Sequence, residues 1–246
     1  MDYDLKDKRV LVLGSSSGLG FATAKAYANE GATVAICSSN KERIENASSQ
    51  IKNSHPFVSD LTKDGAGSAL VWQVIEKLGG IDILVTNTGN PPHGLFMESK
   101  PEEWKKAYQS LYLSVIESAM EAIHGMKERK FGRIIMITSV AAKEPISSLT
   151  ISSSLRAGLL GLMKTLSIEI AKDGITVNSI LPGFTNTEAT KKRFDKNRKE
   201  IEATIPAGRF GEPEEFASLA LFLGSKGAAY VNGQAIACDG GAIKGL

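Results

Sequence analysis

The residues with the clearest chemical signature form the run Leu13-Gly14-Ser15-Ser16-Ser17-Gly18-Leu19-Gly20. It lies between a short apolar run, Arg9 to Leu13, and a helical pattern that begins at Leu19. At such a strand-to-helix turn, free backbone N–H groups and the positive end of the helix dipole attract a phosphate. Glycine serves there because a side chain would block close backbone approach. A tight turn in any α/β protein reads the same way, so the loop needs its context. Metal and disulfide chemistry have no comparable footing. Cys37 and Cys238 are not spaced as metal ligands and are too few for a disulfide framework, and His55, His93 and His124 are scattered.

The elements that must position this loop follow from periodicity. Apolar runs are expected as strands at Arg9 to Leu13, Ala32 to Cys37, Phe57 to Ser59, Ile81 to Thr86, Arg133 to Thr138, Ile175 to Leu181 and Gln234 to Cys238, with helical patterns between most of them. The first helix carries Leu19, Ala22, Ala26 and Tyr27 on one side, and Gly31 stands where a left-handed cap is expected. The runs ILV and IIMI are continuous instead of alternating, as strands covered on both faces require. The pattern predicts a single α/β domain over 1–246, a Rossmann-like doubly wound fold of about seven mostly parallel strands with helices on both faces. With 246 residues, 42% apolar, a sizeable core is affordable, and a formal charge of +2 gives no global reason for nucleic-acid or membrane binding. No apolar run approaches the roughly 18 residues of a membrane span, and the opening MDYDLKDK has no signal-peptide character. A cytoplasmic protein is expected.

In this context the spacing G-x-x-x-G-x-G resembles that of the short-chain dehydrogenase/reductase family, and the resemblance runs along nearly the whole chain. Asp60-Leu61 follows the third strand, as in the family's adenine contact. Thr86-Asn87-Thr88-Gly89 stands where the family has Asn-Asn-Ala-Gly, and Ser139 closes the fifth strand. Val177-Asn178, Pro182-Gly183, Thr185, Thr187 and Asp239-Gly240-Gly241 complete the order, which is most similar to 3-oxoacyl-(acyl-carrier-protein) reductases. The resemblance implies a nicotinamide dinucleotide held by Gly14, Ser16, Ser17, Gly18, Leu19, Gly20, Ser38, Ser39, Asp60, Leu61, Asn87, Thr88, Gly89, Arg156, Pro182, Gly183, Thr185 and Thr187. NAD-preferring sites place an acid about 20 residues beyond the loop; here the chain reads Cys37-Ser38-Ser39-Asn40-Lys41. NADP(H) is therefore favoured over NAD(H), with Lys41 or Arg43 within reach of a 2′-phosphate or else simply solvated. The arginines that NADP-specific members often carry at the positions of Ser17 and Ser39 are missing.

In the family a Tyr exchanges a proton with the substrate oxygen, a Lys four residues on lowers its pKa and grips the nicotinamide ribose, a Ser holds the carbonyl, and an upstream Asn anchors a relay water. Aligning Arg156-Ala157-Gly158-Leu159 with the family's Lys-Ala-Ala-Leu run retains Ser139 but puts Ser152 at the Tyr position, Arg156 at the Lys position and Leu111 at the Asn position. Ser139, Ser152 and Arg156 are the candidate catalytic residues, the last two on a helix whose buried stripe is read as Leu155, Leu159, Leu162, Leu166 and Ile170. Serine is a far weaker acid than tyrosine, and arginine positions but does not relay protons near neutrality. Tyr108, Tyr112, His93 and Lys143 are candidate substitute donors, though core or interface positions for the tyrosines and solvated loop positions for His93 and Lys143 are the simpler account. Three readings follow: a carbonyl reductase acting on a small carbonyl or 3-oxoacyl thioester, an enoyl-thioester C=C reductase, or a non-catalytic dinucleotide-binding or assembly protein. The segment 186–210 is expected as a basic helical lid, with Lys191, Lys192, Arg193, Lys196, Arg198 and Lys199 attracting an anionic carrier or facing solvent beside their own acids. By resemblance the chain forms a homo-oligomer, tetramer or dimer. No metal or nucleic-acid partner is expected.

Overall fold

The structure, a computed structural model, describes residues 3–245. Seven strands, β1 (Arg9–Val12), β2 (Thr33–Ser38), β3 (Ser54–Val58), β4 (Ile83–Thr86), β5 (Gly132–Ile137), β6 (Ile175–Pro182) and β7 (Ala235–Cys238), form one sheet in the order β3-β2-β1-β4-β5-β6-β7. Every pairing among the described residues is parallel. The helices are α1 (Gly18–Asn29), α2 (Lys41–Ser49), α3 (Ala66–Leu78), α4 (Pro101–Tyr108), α5 (Ser114–Arg129), α6 (Thr150–Glu169), α7 (Glu188–Phe194), α8 (Arg198–Thr204) and α9 (Pro213–Gly224). The doubly wound reading is borne out, and the continuous apolar strands show why. Val10, Val12, Ile83, Val85, Ile135 and Ile137 pack under α1, α2 and α9, whereas Leu11, Leu13, Leu84, Ile134 and Met136 pack under α3, α5 and α6. Both faces of each central strand are thus core, and each fully buried aliphatic side chain contributes about 1.5–3 kcal/mol.

Close approaches set the helix positions. Tyr27 of α1 donates its hydroxyl to the Ala220 carbonyl of α9 at 2.6 Å, and Gly224 leaves the space its ring occupies. Asp82, at the start of β4, fastens the opposite end of the sheet: it accepts from Arg9 Nε at 2.9 Å and from Arg129 Nε at 3.0 Å. Gly31 follows α1 with φ +83°, as its left-handed assignment requires.

Two local expectations are corrected. The aromatic run predicts the third strand at Phe57–Ser59, but it spans Ser54–Val58; it is an edge strand, where the missing N–H of Pro56 is tolerated. On α6 the buried positions are Ile151, Ser152, Ser153, Arg156, Leu159, Met163 and Ser167, followed by Ile170 just past its end, with Leu155, Leu162 and Leu166 only half buried. A count of apolar residues misses this face because Ser152, Ser153, Arg156 and Ser167 on it are polar. Between α4 and α5 the chain forms a π-helical turn, Gln109–Leu113, that the sequence pattern did not indicate.

Candidate active site

The sheet order reverses between β1 and β4, and in such sheets ligands bind outside the carboxyl ends of the strands at that point. Here Gly14 follows β1 and Asn87 follows β4. Asn87 Nδ2 donates to the Gly14 carbonyl at 2.7 Å and ties the two strand ends together. Gly14 (φ +54°) and Gly18 (φ +58°) lie in the left-handed region. A Cβ on Gly20 would fall 2.5 Å from the Gly14 carbonyl oxygen and 2.6 Å from Asn87 Nδ2. Ser17 precedes α1 without a side-chain cap, so the first N–H groups of the helix remain open to an anion. Ser15, which the sequence reading passed over, is fully buried and braces the loop. Its Oγ donates to the Val12 carbonyl at 2.7 Å and accepts from Cys37 N at 3.0 Å.

A cleft of about 680 Å³ runs from this turn, lined by Gly14, Ser38, Ser39, Asp60, Leu61, Asn87, Thr88 and Gly89 among others. Its other wall includes Asn90 and, from α4, Glu103 and Lys106. Asp60 Oδ1 accepts from Thr62 Oγ1 at 2.7 Å and Thr62 N at 3.1 Å, which holds its carboxyl below the usual range. Lys41 is 75% exposed and pairs with Glu45 at 3.9 Å, the solvated alternative for that residue. Across the loop, Thr187 caps α7 and lies against Gly18, with its Cγ2 3.4 Å from where a Gly18 Cβ would be. Thr185 is buried and bridges to Gly211, while Gly183 packs against Asp239. The glycine turn and its uncapped helix end fit the pyrophosphate of a dinucleotide, and the cleft is of cofactor size.

The catalytic candidates converge at the end of β5. Ser139 caps the turn Val140–Ala142, its Oγ accepting from Ala141 N at 3.1 Å. Arg156, only 4% exposed, spends all five of its N–H groups on the protein. Nε donates to Ser152 Oγ at 3.2 Å, and Nη1 donates to the carbonyls of Thr138 at 2.7 Å and Ile137 at 3.3 Å. Nη2 donates to the Gly89 carbonyl at 3.2 Å and to Asn90 Oδ1 at 3.3 Å. No carboxylate pairs with it among the described residues, and burial pulls its pKa down to about 10. The guanidinium therefore stays charged at neutrality and binds α6, β5 and the loop after β4 into one unit. A ribose grip is not what this arrangement offers, because a ribose hydroxyl would have to displace a protein acceptor. Ser152, 8% exposed, already accepts from a group that can only donate, so its own proton is free for another acceptor.

The remaining candidates stand apart. Leu111 lies in the π-helical turn, 1% exposed, in an apolar cluster with Ala107 and Ile151 flanked by Trp104 and Leu155. Tyr108 stacks on Tyr112 at 5.5 Å between ring centroids, and Tyr112 packs over Gly158. Lys143 Nζ donates to the Ala235 carbonyl at 3.1 Å. His93 is exposed, and desolvation together with the charge of Arg193 lowers its pKa. That loop is clipped to the start of α6: Gly94 N donates to the Ser148 carbonyl at 2.9 Å, with Ser148 at φ +66°, an uncommon conformation for a residue with a Cβ. Asn90 carried no sequence signal; only the folded loop brings it to Arg156.

A parallel doubly wound sheet with a phosphate-type glycine turn at its reversal, opening on a cleft of cofactor size, has the architecture of a dinucleotide-binding fold. The chain belongs to the short-chain dehydrogenase/reductase family: the family model for Enoyl-(Acyl carrier protein) reductase matches residues 14–242. It is 33% identical to 3-oxoacyl-(acyl-carrier-protein) reductase of Vibrio cholerae over 97% of this chain and 98% of that one. It is likewise 33% identical to the enzyme of the same name from Thermotoga maritima, over 97% and 99%. L-sorbose reductase from Gluconobacter frateurii, solved with NADPH and L-sorbose, superposes with a TM-score of 0.95 at 31% identity over 100% of both chains. YwfH, an NADPH dependent reductase involved in bacilysin biosynthesis, superposes at 0.94 and 28% identity over 98% of this chain and 100% of its own. The protein is thus an NAD(P)-dependent oxidoreductase of this family. Among the described residues no helix is long and apolar enough to cross a membrane.

Proposed function

We propose that this protein is a cytoplasmic, single-domain NADPH-dependent reductase of a small carbonyl compound or 3-oxoacyl thioester, in which Ser139 and Ser152 hold the substrate oxygen and no side chain relays its proton. The observation that carries this reading is the saturation of Arg156. Because Arg156 Nε donates to Ser152 Oγ at 3.2 Å, the Ser152 proton is left for another acceptor, with a positive charge directly behind the hydroxyl. When bound, the dihydronicotinamide supplies the hydride. As negative charge develops on the substrate oxygen, the two serine hydroxyls donate to it, and the guanidinium behind Ser152 counts for more in a buried site than in water. With Leu111 sealed in apolar packing, the proton comes from solvent. The glycine turn with Ser16, Ser17 and Leu19 would receive the pyrophosphate, Asp60 and Leu61 the adenine, Asn87, Thr88 and Gly89 the cleft floor, and Pro182, Gly183, Thr185 and Thr187 the nicotinamide side. NADP(H) is favoured over NAD(H) because Ser38 and Ser39 present no acid to a 2′-phosphate. A homo-oligomer, tetramer or dimer, follows from the family resemblance.

The missing relay also favours a second reading, reduction of a C=C bond conjugated to a carbonyl. Hydride addition at the β-carbon leaves an enolate, a weaker base than an alkoxide, which the same two hydroxyls hold while water protonates the α-carbon. Calorimetric titration with NADPH and NADH, followed by turnover on ketones and conjugated enoyl thioesters with Ser139→Ala as control, tests both. Consumption of ketones supports the first, consumption of enoyl thioesters alone the second, and turnover unaffected by Ser139→Ala removes the proposed oxygen anchor. Lys41→Glu should weaken NADPH more than NADH; equal effects leave Lys41 with Glu45 as a solvated pair.

A further inference from the structure

We propose that the Asn90 carboxamide supplies the hydrogen-bond donor to the nicotinamide ribose that Arg156 no longer offers. The proposal rests on a nicotinamide dinucleotide occupying the cleft. Every N–H of Arg156 is already bonded within the protein, two of them to the Gly89 carbonyl and to Asn90 Oδ1. A guanidinium only donates, so Asn90 must turn its oxygen toward it, and the planar amide then carries its two N–H donors away from Arg156. These N–H groups have no partner among the described residues, and Asn90 is exposed and lines the cleft that begins at Gly14. The space beside it is open: a Cβ built on Gly89 meets nothing within 4 Å. Donors therefore remain on a carboxamide whose oxygen lies 3.3 Å from Nη2 of Arg156, the residue aligned with the family's ribose-gripping lysine. Asn90 acts as a binding residue on its nitrogen side and as part of the Arg156 latch on its oxygen side.

Two variants separate these sides. Asn90→Asp keeps an acceptor for Arg156 but removes the donors; Asn90→Ala removes both. Calorimetry with NADPH and with 2′,5′-ADP, which carries only the adenine half, gives a readout that a purely structural role would not split. For Asn90→Asp the expected result is an NADPH Kd raised roughly three- to tenfold, the range of one lost hydrogen bond, with 2′,5′-ADP affinity and Tm held. Unchanged NADPH affinity in that variant overturns the proposal, and so does an equal loss on both ligands, which would report only the added carboxylate. Loss of NADPH affinity in Asn90→Ala but not in Asn90→Asp assigns Asn90 to the latch alone and also overturns it. Failure of the unaltered protein to bind NADPH is a separate result, and it removes the cofactor reading itself.

Discussion

Replacement of Ser152 by alanine should produce two effects of different origin. The first is on stability. Arg156 Nε loses its acceptor at a site where the residue is 4% exposed, so the N–H is left without water or protein to receive it. A hydrogen bond from a charged group contributes about 1.5–3 kcal/mol; at 3.2 Å this one belongs at the lower end, about 1.5 kcal/mol. For a chain of this length that lowers Tm by roughly 3–6 °C. The second effect is on rate. Removing one preplaced donor from a developing oxyanion typically costs 10²- to 10³-fold in kcat, about 2.7–4 kcal/mol. The cofactor's affinity should barely change, because the Arg156 bonds to Thr138, Gly89 and Asn90 survive. Thermal denaturation, calorimetric titration with NADPH and steady-state turnover on one substrate measure the three quantities. A lower Tm with kcat/KM within about threefold of the unaltered enzyme would refute the oxygen-anchor role and leave Ser152 as an acceptor for Arg156 only.

Gly20→Ala should weaken dinucleotide binding by about fivefold or more in calorimetry. Its Cβ would stand 2.5 Å from the Gly14 carbonyl oxygen, and overpacking of this kind costs about 1–3 kcal/mol. Turnover should be flat from roughly pH 6 to 9, because neither proposed oxygen anchor titrates there, and should fall as pH rises through the Arg156 pKa of about 10, when the charge behind Ser152 is lost. A group titrating near pH 7 in kcat would point to a side-chain acid outside this scheme. The paired substitution Ser152→Tyr with Arg156→Lys should raise ketone turnover at least tenfold if only the acid is missing; no gain in the assay points to Leu111. Leu111→Asn alone should lower stability by about 2–3 kcal/mol in denaturant unfolding, because it buries an amide among Ala107, Ile151, Trp104 and Leu155.

Much of the architecture was legible before folding because it is written in local chemistry. Strand runs such as ILV and IIMI read correctly since residues on both of their faces are core, and the glycine turn read correctly since its conformation demands glycine at Gly14 and Gly18. Where the reading slipped, a nonlocal condition decided the outcome. Pro56 is admissible only because β3 is an edge strand. The inner face of α6 carries Ser152 and Arg156, which no apolar count would place there.

By itself the sequence determined the family and the doubly wound order of elements, and it pointed to the phosphate-type turn and to departures at Ser152, Arg156 and Leu111, because each depends on residue type at short spacing. Only the tertiary structure decided which atoms those side chains meet. The acceptors that saturate Arg156 come from Ser152 four residues away but also from Ile137, Thr138, Gly89 and Asn90, 18 to 67 residues away. A buried cation takes whichever oxygens the fold delivers, and no local pattern encodes which those will be. The same holds for Leu111, an apolar residue in the sequence whose neighbours, Ala107 and Ile151, are decided only when the π-helical turn seats it among them.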